Sequence, residues 1–247
     1  MKADPTAQRR LLDLQAVDTA LGQLAHRRRT LPELAEIEKA TAALGGLRDD
    51  VVRARTAVED LDREIRRLES DVEQVRTRRA RDQQRMDSGA VTHAKELESL
   101  QHEVASLSRR QSELEDTELE LMEAREEAQA ALDAAVTALD EAQRGIDEAV
   151  ARRDTAFTEI DTAEAERRAE RGPVSAEIPG DLLALYEKIR AASGGLGAAM
   201  LRARRCEGCR IEISGSDMEA IASASADDVV RCEECRRILV RTSESGL

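Results

Sequence analysis

Four cysteines, arranged as Cys206-Glu207-Gly208-Cys209 and Cys232-Glu233-Glu234-Cys235, are the residues whose type and spacing can do chemistry in this chain. They are the only cysteines among 247 residues, and 22 residues separate the two pairs. A Cys-x-x-Cys turn can aim two thiolates at one ion, and two such knuckles complete a tetrahedral shell of sulfur. Zinc suits that shell, because it has no geometric preference of its own to defeat and takes soft ligands readily. The pattern therefore predicts one structural Zn2+ held by Cys206, Cys209, Cys232 and Cys235. Disulfides, a redox Cys-x-x-Cys pair and an iron–sulfur centre are the competing readings of the same spacing. Four sulfurs need no His, Asp or Glu to finish the shell and leave no position for water, so a catalytic metal is not expected.

The surroundings must position these thiols. Ala199-Met200-Leu201, Val229-Val230 and Ile238-Leu239-Val240 are short apolar runs that read as ribbon strands, with Ser214–Asp228 as a loop or short helix between the knuckles. About 50 residues without aromatics cannot hold together by apolar burial alone, so metal binding is expected to be part of the folding free energy. Arg202, Arg204, Arg205, Arg210, Arg231, Arg236 and Arg237 surround the knuckles as a candidate contact for nucleic acid or a partner protein. Residues 196–247 nevertheless hold eight Arg against nine Asp and Glu, so the module as a whole is not basic.

The rest of the chain reads as helix. It has one Phe, one Tyr and no Trp, yet 41% of it is apolar and 36% charged. That mixture fits a narrow helix–helix seam rather than a deep core. Leu11, Leu14, Val17, Leu21 and Leu24 recur at helical spacing up to Leu31-Pro32, where proline disfavours helix in the preceding residue. A long helix follows to about Arg85, with Gly45-Gly46 able to bend it. Val58, Leu61, Ile65, Leu68, Val72 and Val75 alternate steps of three and four, the signature of a coiled-coil seam. The seam fails at Asp87-Ser88-Gly89 and resumes at Leu97, Leu100, Val104, Leu107, Gln111 and Leu114, with Glu118 and Arg125 interrupting it further on. Two long helices about one break predict an antiparallel hairpin turning near 86–93. Two chains paired in parallel fit the same periodicity, so monomer and homodimer both stay open. If the second helix outruns the first, Leu11–Leu24 packs against its lower part. The helix should stop at Arg171-Gly172-Pro173, Pro179 should open a short helix with Leu182, Leu183, Tyr186 and Ile189 on one side, and Ser193–Gly197 should be a flexible link.

The expected fold class is thus mostly α, a long antiparallel coiled-coil hairpin with a small C-terminal four-cysteine zinc ribbon. The expected divisions are 1–172 for the N-terminal helix and hairpin, 173–197 for short helix and link, and 198–247 for the ribbon. At the hairpin turn Arg76, Arg78, Arg79, Arg81 and Arg85, with His93 and Lys95 beyond it, form a second basic cluster that could meet phosphates or an acidic partner. Asp82, Asp87 and Glu96 dilute it.

A formal net charge of −13 opposes non-specific binding of nucleic acid by the whole molecule. No stretch approaches 18 apolar residues, and Met1–Pro5 lacks the apolar core of a secretion signal, so no membrane span and a cytoplasmic location are expected. His26, His93 and His102 are far apart in sequence. No phosphate-cradling glycine loop, serine elbow or His-based metal motif is present. The sequence does not read as an enzyme.

Taken together, these residues resemble the bacterial coiled-coil proteins that carry a C-terminal C4-type zinc ribbon, over nearly the whole chain. The resemblance rests on Leu14-Gln15 with Asp18, Ser88-Gly89-Ala90-Val91 leading into Lys95-Glu96-Leu97, Leu114-Glu115, Leu121-Met122-Glu123, the short helix around Tyr186 and the paired knuckles. The ending Cys232-Glu233-Glu234-Cys235-Arg236-Arg237-Ile238-Leu239 departs from the family's habit of Gly at the Arg236 position. That departure bears on the turn or the basic face of the second knuckle, not on a ligand. The resemblance implies the hairpin fold, the four zinc ligands and, as a class, an adaptor role. Some members act as adaptors or chaperones for a sigma factor or secretion components, or bind a messenger RNA. Two functions follow as expectations: a protein-binding adaptor or scaffold, or a nucleic-acid-binding regulator working through the basic ribbon residues.

Overall fold

The computed structural model describes residues 1–247. About three quarters of the chain is helical. The elements run α1 (Pro5–Arg29), α2 (Pro32–Asp87), α3 (Ala94–Ala176), α4 (Gly180–Ala192), β1 (Ala198–Arg202), β2 (Arg205–Cys206), α5 (Gly215–Ser223), β3 (Val230–Arg231) and β4 (Ile238–Val240). They divide into two compact units, residues 35–150 and residues 1–34 together with 151–247.

In the first unit α2 and α3 lie antiparallel. Arg85 faces Glu96, Arg78 faces Glu103, Arg76 reaches Glu115 and Asp62 accepts from Arg125, so positions rising on α3 meet positions falling on α2. The intramolecular hairpin, rather than a parallel pair of chains, is the observed arrangement. Leu44, Val51, Val58 and Val72 of α2 and Leu100, Leu114, Ile146 and Ala149 of α3 are its buried apolar side chains. Gly45-Gly46 does not interrupt α2. The turn falls between Asp87 and Ala94, with Gly89 at φ +70°, a conformation glycine adopts without the usual Cβ penalty.

Two of the polar seam positions find side-chain partners. Arg125 donates to Asp62 at 3.1 Å across the hairpin, and Gln111 donates to Glu115 at 2.6 Å. Gln111 Oε1 and Asp82 Oδ2 nevertheless stay buried without a hydrogen-bond partner, and Asp82 has no side-chain bond to offset it. An unsatisfied buried polar atom costs roughly 1–3 kcal/mol. Asp82→Leu is therefore expected to stabilise the last turns of the hairpin, which slower amide exchange between residues 75 and 104 would register.

In the second unit α1 packs along residues 151–176 of α3. Arg27 pairs with Glu159 at 3.4 Å, Arg28 pairs with Asp161, and the Arg28 guanidinium lies 4.7 Å from the Phe157 ring centre. α3 does not stop at Arg171-Gly172-Pro173 but runs on to Ala176 with Pro173 inside it. Packing overrides the local breaker here. Arg171 is anchored on Asp18 and Glu187, and Val174 rests against the core.

That core joins Leu11 and Leu14 of α1, Leu182, Tyr186 and Ile189 of α4, and Ala198, Ile238 and Val240 of the sheet. The apolar face of α4 therefore finds its partners in α1 and the sheet. The strands are ordered β2-β1-β4-β3, with β1 parallel to β4 and the outer pairs antiparallel. Side chains alternate across a strand, so Ala199, Leu201 and Leu239 point the other way, into a second cluster with Cys206, Cys232, Met218 and Ile221. Lys2 bridges to Asp228 beside the sheet, and the Ala3 N–H donates to the Asp227 carbonyl at 2.7 Å.

The expected flexible link at Ser193–Gly197 is tied down instead. The Gln15 carboxamide accepts from the N–H groups of Gly197 (2.7 Å) and Ala198 (3.3 Å) and donates to the Gly195 carbonyl (3.0 Å). Arg237 donates to the carbonyls of Ser193 at 3.0 Å and Leu196 at 3.1 Å. A Cβ at Gly197 would lie 2.7 Å from the Tyr186 ring and carbonyl, so the chain can pass that point only as glycine.

Candidate metal centre

The two knuckles are built alike. The residue four beyond each first cysteine, Arg210 or Arg236, has φ +60° and donates its N–H to that cysteine's carbonyl, at 2.6 and 2.9 Å. The cysteine N–H is in turn taken by the next carbonyl, Ile211 for Cys206 (3.1 Å) and Arg237 for Cys232 (2.9 Å). Each loop closes on itself and turns both thiols to one side. A left-handed conformation costs a non-glycine residue roughly 1–2 kcal/mol. Glycine would take this conformation without that cost, and the turn forms with arginine in it. Arg236→Gly is expected to stabilise the module by up to about 1 kcal/mol, seen as a higher melting temperature with metal content unchanged.

All four Sγ atoms lie within 4.8 Å of one another. Cys206 Sγ is 3.8 Å from Cys235 Sγ, and Cys209 Sγ is 3.9 Å from Cys232 Sγ. A regular tetrahedron with metal–sulfur bonds of about 2.3 Å has edges of about 3.8 Å. A disulfide needs sulfurs about 2.05 Å apart, and all four thiols are free. The cluster is thus compatible with a single structural Zn2+, and its donor set is sulfur alone.

Cys206 and Cys232 are buried while Cys209 and Cys235 are half-buried. Burial pushes the Cys206 and Cys232 thiols up, only partly offset by backbone N–H groups aimed at their sulfurs. For Cys235 burial acts the same way but is outweighed by the Arg237 N–H, by Cys232 and by the Arg237 side chain, which bring it down to about 7.

The basic residues around the knuckles separate into three groups. Arg237 is spent on backbone, donating to Gly208 as well as to the two link carbonyls. Arg202 pairs with Glu244 at 3.0 Å and Arg236 with Glu233 at 3.2 Å, while Arg231 donates to the Arg236 carbonyl. Arg204, Arg205 and Arg210 are exposed and make no ion pair, and Ile211 beside them is exposed too. At the hairpin turn Arg76, Arg78 and Arg85 are engaged by Glu115, Glu103 and Glu96, and Arg79 is half-buried. Arg81 and Lys95 are exposed there without an ion-pair partner.

Sequence reasoning missed Arg241, whose guanidinium donates to the carbonyls of Ile221, Ala224, Ser225, Ala226 and Asp228 at 2.6–3.3 Å. It closes the C-terminal end of α5 and the loop leading to β3. Nothing local marks it among eight arginines. The network around Asp18 was also missed as a site. The Tyr186 hydroxyl donates to Asp18 at 2.8 Å, Arg171 donates at 2.7 Å, and the Arg190 Nε lies 3.1 Å away as a charge contact without an aligned hydrogen bond. Its signal was available in polar Gln15 and Asp18 standing on the buried stripe of α1.

The model of the CT398-like coiled coil hairpin domain matches residues 14–194, and that of the C4-type zinc ribbon domain matches residues 205–239. The chain belongs to the CT398-like coiled coil hairpin family. In this member the hairpin domain is fused to a C4-type zinc ribbon. An uncharacterized protein of Mycobacterium tuberculosis is 42% identical over 241 residues, 98% of each chain. A solved Mycobacterium smegmatis structure has a TM-score of 0.82 at 40% identity, covering 98% of this chain and 100% of that one. The CT398 structure from Chlamydia trachomatis gives 0.62 at 19% identity over 96% and 98% of the two chains, a likeness of fold alone. Hairpin and ribbon are structural and interaction modules rather than catalytic ones. No helix is long and apolar enough to cross a membrane.

Proposed function

We propose that this CT398-like protein is a non-enzymatic adaptor or scaffold in which Cys206, Cys209, Cys232 and Cys235 bind one zinc ion and the hairpin and ribbon contact a partner protein. The observation that carries this reading is the all-sulfur cluster. Four thiolates close the coordination sphere of zinc and leave no site for substrate or water, so the metal's work is to hold a surface. Four free thiols in one cluster also suit a reducing compartment such as the cytoplasm. Arg81 and Lys95 at the hairpin turn are the cations available there to an acidic partner.

A second reading has its own support. Arg204, Arg205 and Arg210 are exposed without counter-ions, and they could track phosphates along one edge of the ribbon. Binding of that kind weakens steeply with salt and would fall when those three arginines are neutralised. The deciding experiment is capture from lysate with the zinc-loaded chain, divided into nuclease-treated and untreated halves. A defined protein recovered in both halves is the expected result. Recovery of nucleic acid alone, or of proteins that vanish with nuclease, would replace the adaptor by the second reading.

A further inference from the structure

Arg237 stands where both knuckles meet the Ser193–Gly197 link. Its carbonyl accepts the Cys232 N–H at 2.9 Å and so closes the second knuckle. Its guanidinium gives each of its three nitrogens to a different carbonyl. Nη1 donates to Gly208 of the first knuckle at 3.2 Å, Nε to Leu196 at 3.1 Å and Nη2 to Ser193 at 3.0 Å. Gly208 makes room for this grip, since a Cβ there would lie 2.9 Å from Arg237 Cδ.

The link is held from its other side by Gln15, which accepts from the Gly197 N–H at 2.7 Å and donates to the Gly195 carbonyl at 3.0 Å. Gly194, Gly195 and Gly197 leave the link much conformational freedom to lose, and the first two have φ of +66° and +94°. One shape is kept because two side chains grip it. Those anchors have different footings. Gln15 stands on α1, whose Leu11 and Leu14 are packed with α4 and the sheet. Arg237 ends the second knuckle, and the Gly208 carbonyl is in its reach only while the first knuckle is folded.

Given the zinc site proposed above, we propose that Arg237 is a positioning residue that couples the metal centre to α1. It locks the Ser193–Gly197 link when the four cysteines hold zinc and releases it when they do not. Coupling of this kind is reciprocal. A link anchored by Gln15 therefore tightens zinc binding, although none of the Gln15 hydrogen bonds reaches a cysteine. Zinc occupancy thus governs the joint between α4 and the ribbon, and not the ribbon alone.

The test measures zinc affinity by chelator competition in the full chain and in Arg237→Ala, Gln15→Ala and the double variant. Groups that orient metal ligands account for roughly 10–100-fold in affinity, so Arg237→Ala is expected to weaken zinc binding at least about tenfold. Gln15→Ala alone should weaken it about fivefold, and should add nothing once Arg237 is gone. Arg237→Lys keeps the charge but not the planar three-way grip, and should behave like Arg237→Ala. A second measurement needs no change in α1. The Gly197 amide, held by Gln15, should exchange about tenfold faster after zinc is stripped from the unaltered chain. In Arg237→Ala it should exchange fast with zinc still bound. Independent effects of the two alanine substitutions, a Gly197 amide indifferent to zinc, or unchanged affinity in Arg237→Ala or Arg237→Lys overturns the proposal. Any of these leaves the zinc site itself standing if the unaltered chain binds one ion, whereas an unaltered chain that binds none removes both.

Discussion

Stripping the metal with a chelator, or replacing Cys232 by Ser, should abolish amide protection across residues 205–237 while leaving α2 and α3 protected. The inner cluster of the ribbon is small: Ala199, Leu201, Met218, Ile221 and Leu239 are packed around Cys206 and Cys232, with no aromatic among them. Burial of the four large side chains contributes on the order of 6–12 kcal/mol, less than the entropy lost in ordering the backbone of the knuckles and α5. Structural zinc sites contribute on the order of 10–16 kcal/mol, comparable to the entire stability of a typical domain. The metal is therefore expected to decide whether the knuckles and α5 are folded at all. Far-UV circular dichroism should change little, because α5 is the one helix in that stretch and has 9 residues. Ala198, Ile238 and Val240 belong to the other cluster, with α1 and α4. Some protection at β1 and β4 is expected to outlast the metal. A ribbon that keeps its knuckle protection without metal would show that packing alone suffices.

The second large effect is expected at Asp18. Its side chain is fully buried (0% exposed), and Arg171 and Arg190 converge on it with 26% and 32% of their side chains exposed. Removing one partner from a buried ion pair costs about 3–5 kcal/mol, because the others stay desolvated without their counter-charge. Asp18→Ala should fall near 3 kcal/mol, since both arginines still reach water and Glu187. The loss should appear in urea unfolding of the unit that holds α1, α4 and the sheet. Asp18→Asn, which keeps an acceptor for Tyr186, should cost less.

The same network sets an alkaline limit. Burial first, and then the hydrogen bond to Asp18, hold the Tyr186 phenol well above its ordinary value. A raised folded value means that the native state keeps its proton where the unfolded chain has lost it. This contribution is complete below about pH 10, the ordinary tyrosine value, and is lost as pH rises beyond it. Tyr186→Phe should flatten that part of the stability profile.

Much of the architecture was legible in the sequence because its causes are local. The alternation of threes and fours fixes a seam, Leu31-Pro32 and Ser88-Gly89 mark breaks, and Cys-x-x-Cys holds two thiols a fixed distance apart. Each of these acts within a few residues, and short windows carry it. The folding of the chain decided the rest. Pro173 sits inside a helix because Arg171 is anchored on Asp18, 153 positions away. Ser193–Gly197, with the composition of a loose link, is held by Gln15 and Arg237. Arg237 and Arg241 look like surface cations and are spent on backbone carbonyls, whereas Arg204, Arg205 and Arg210 remain available. Charge and periodicity are properties of residues, and they can be read in order along the chain. Which polar group meets which depends on segments brought together from opposite ends of the sequence, and only the folded chain specifies that.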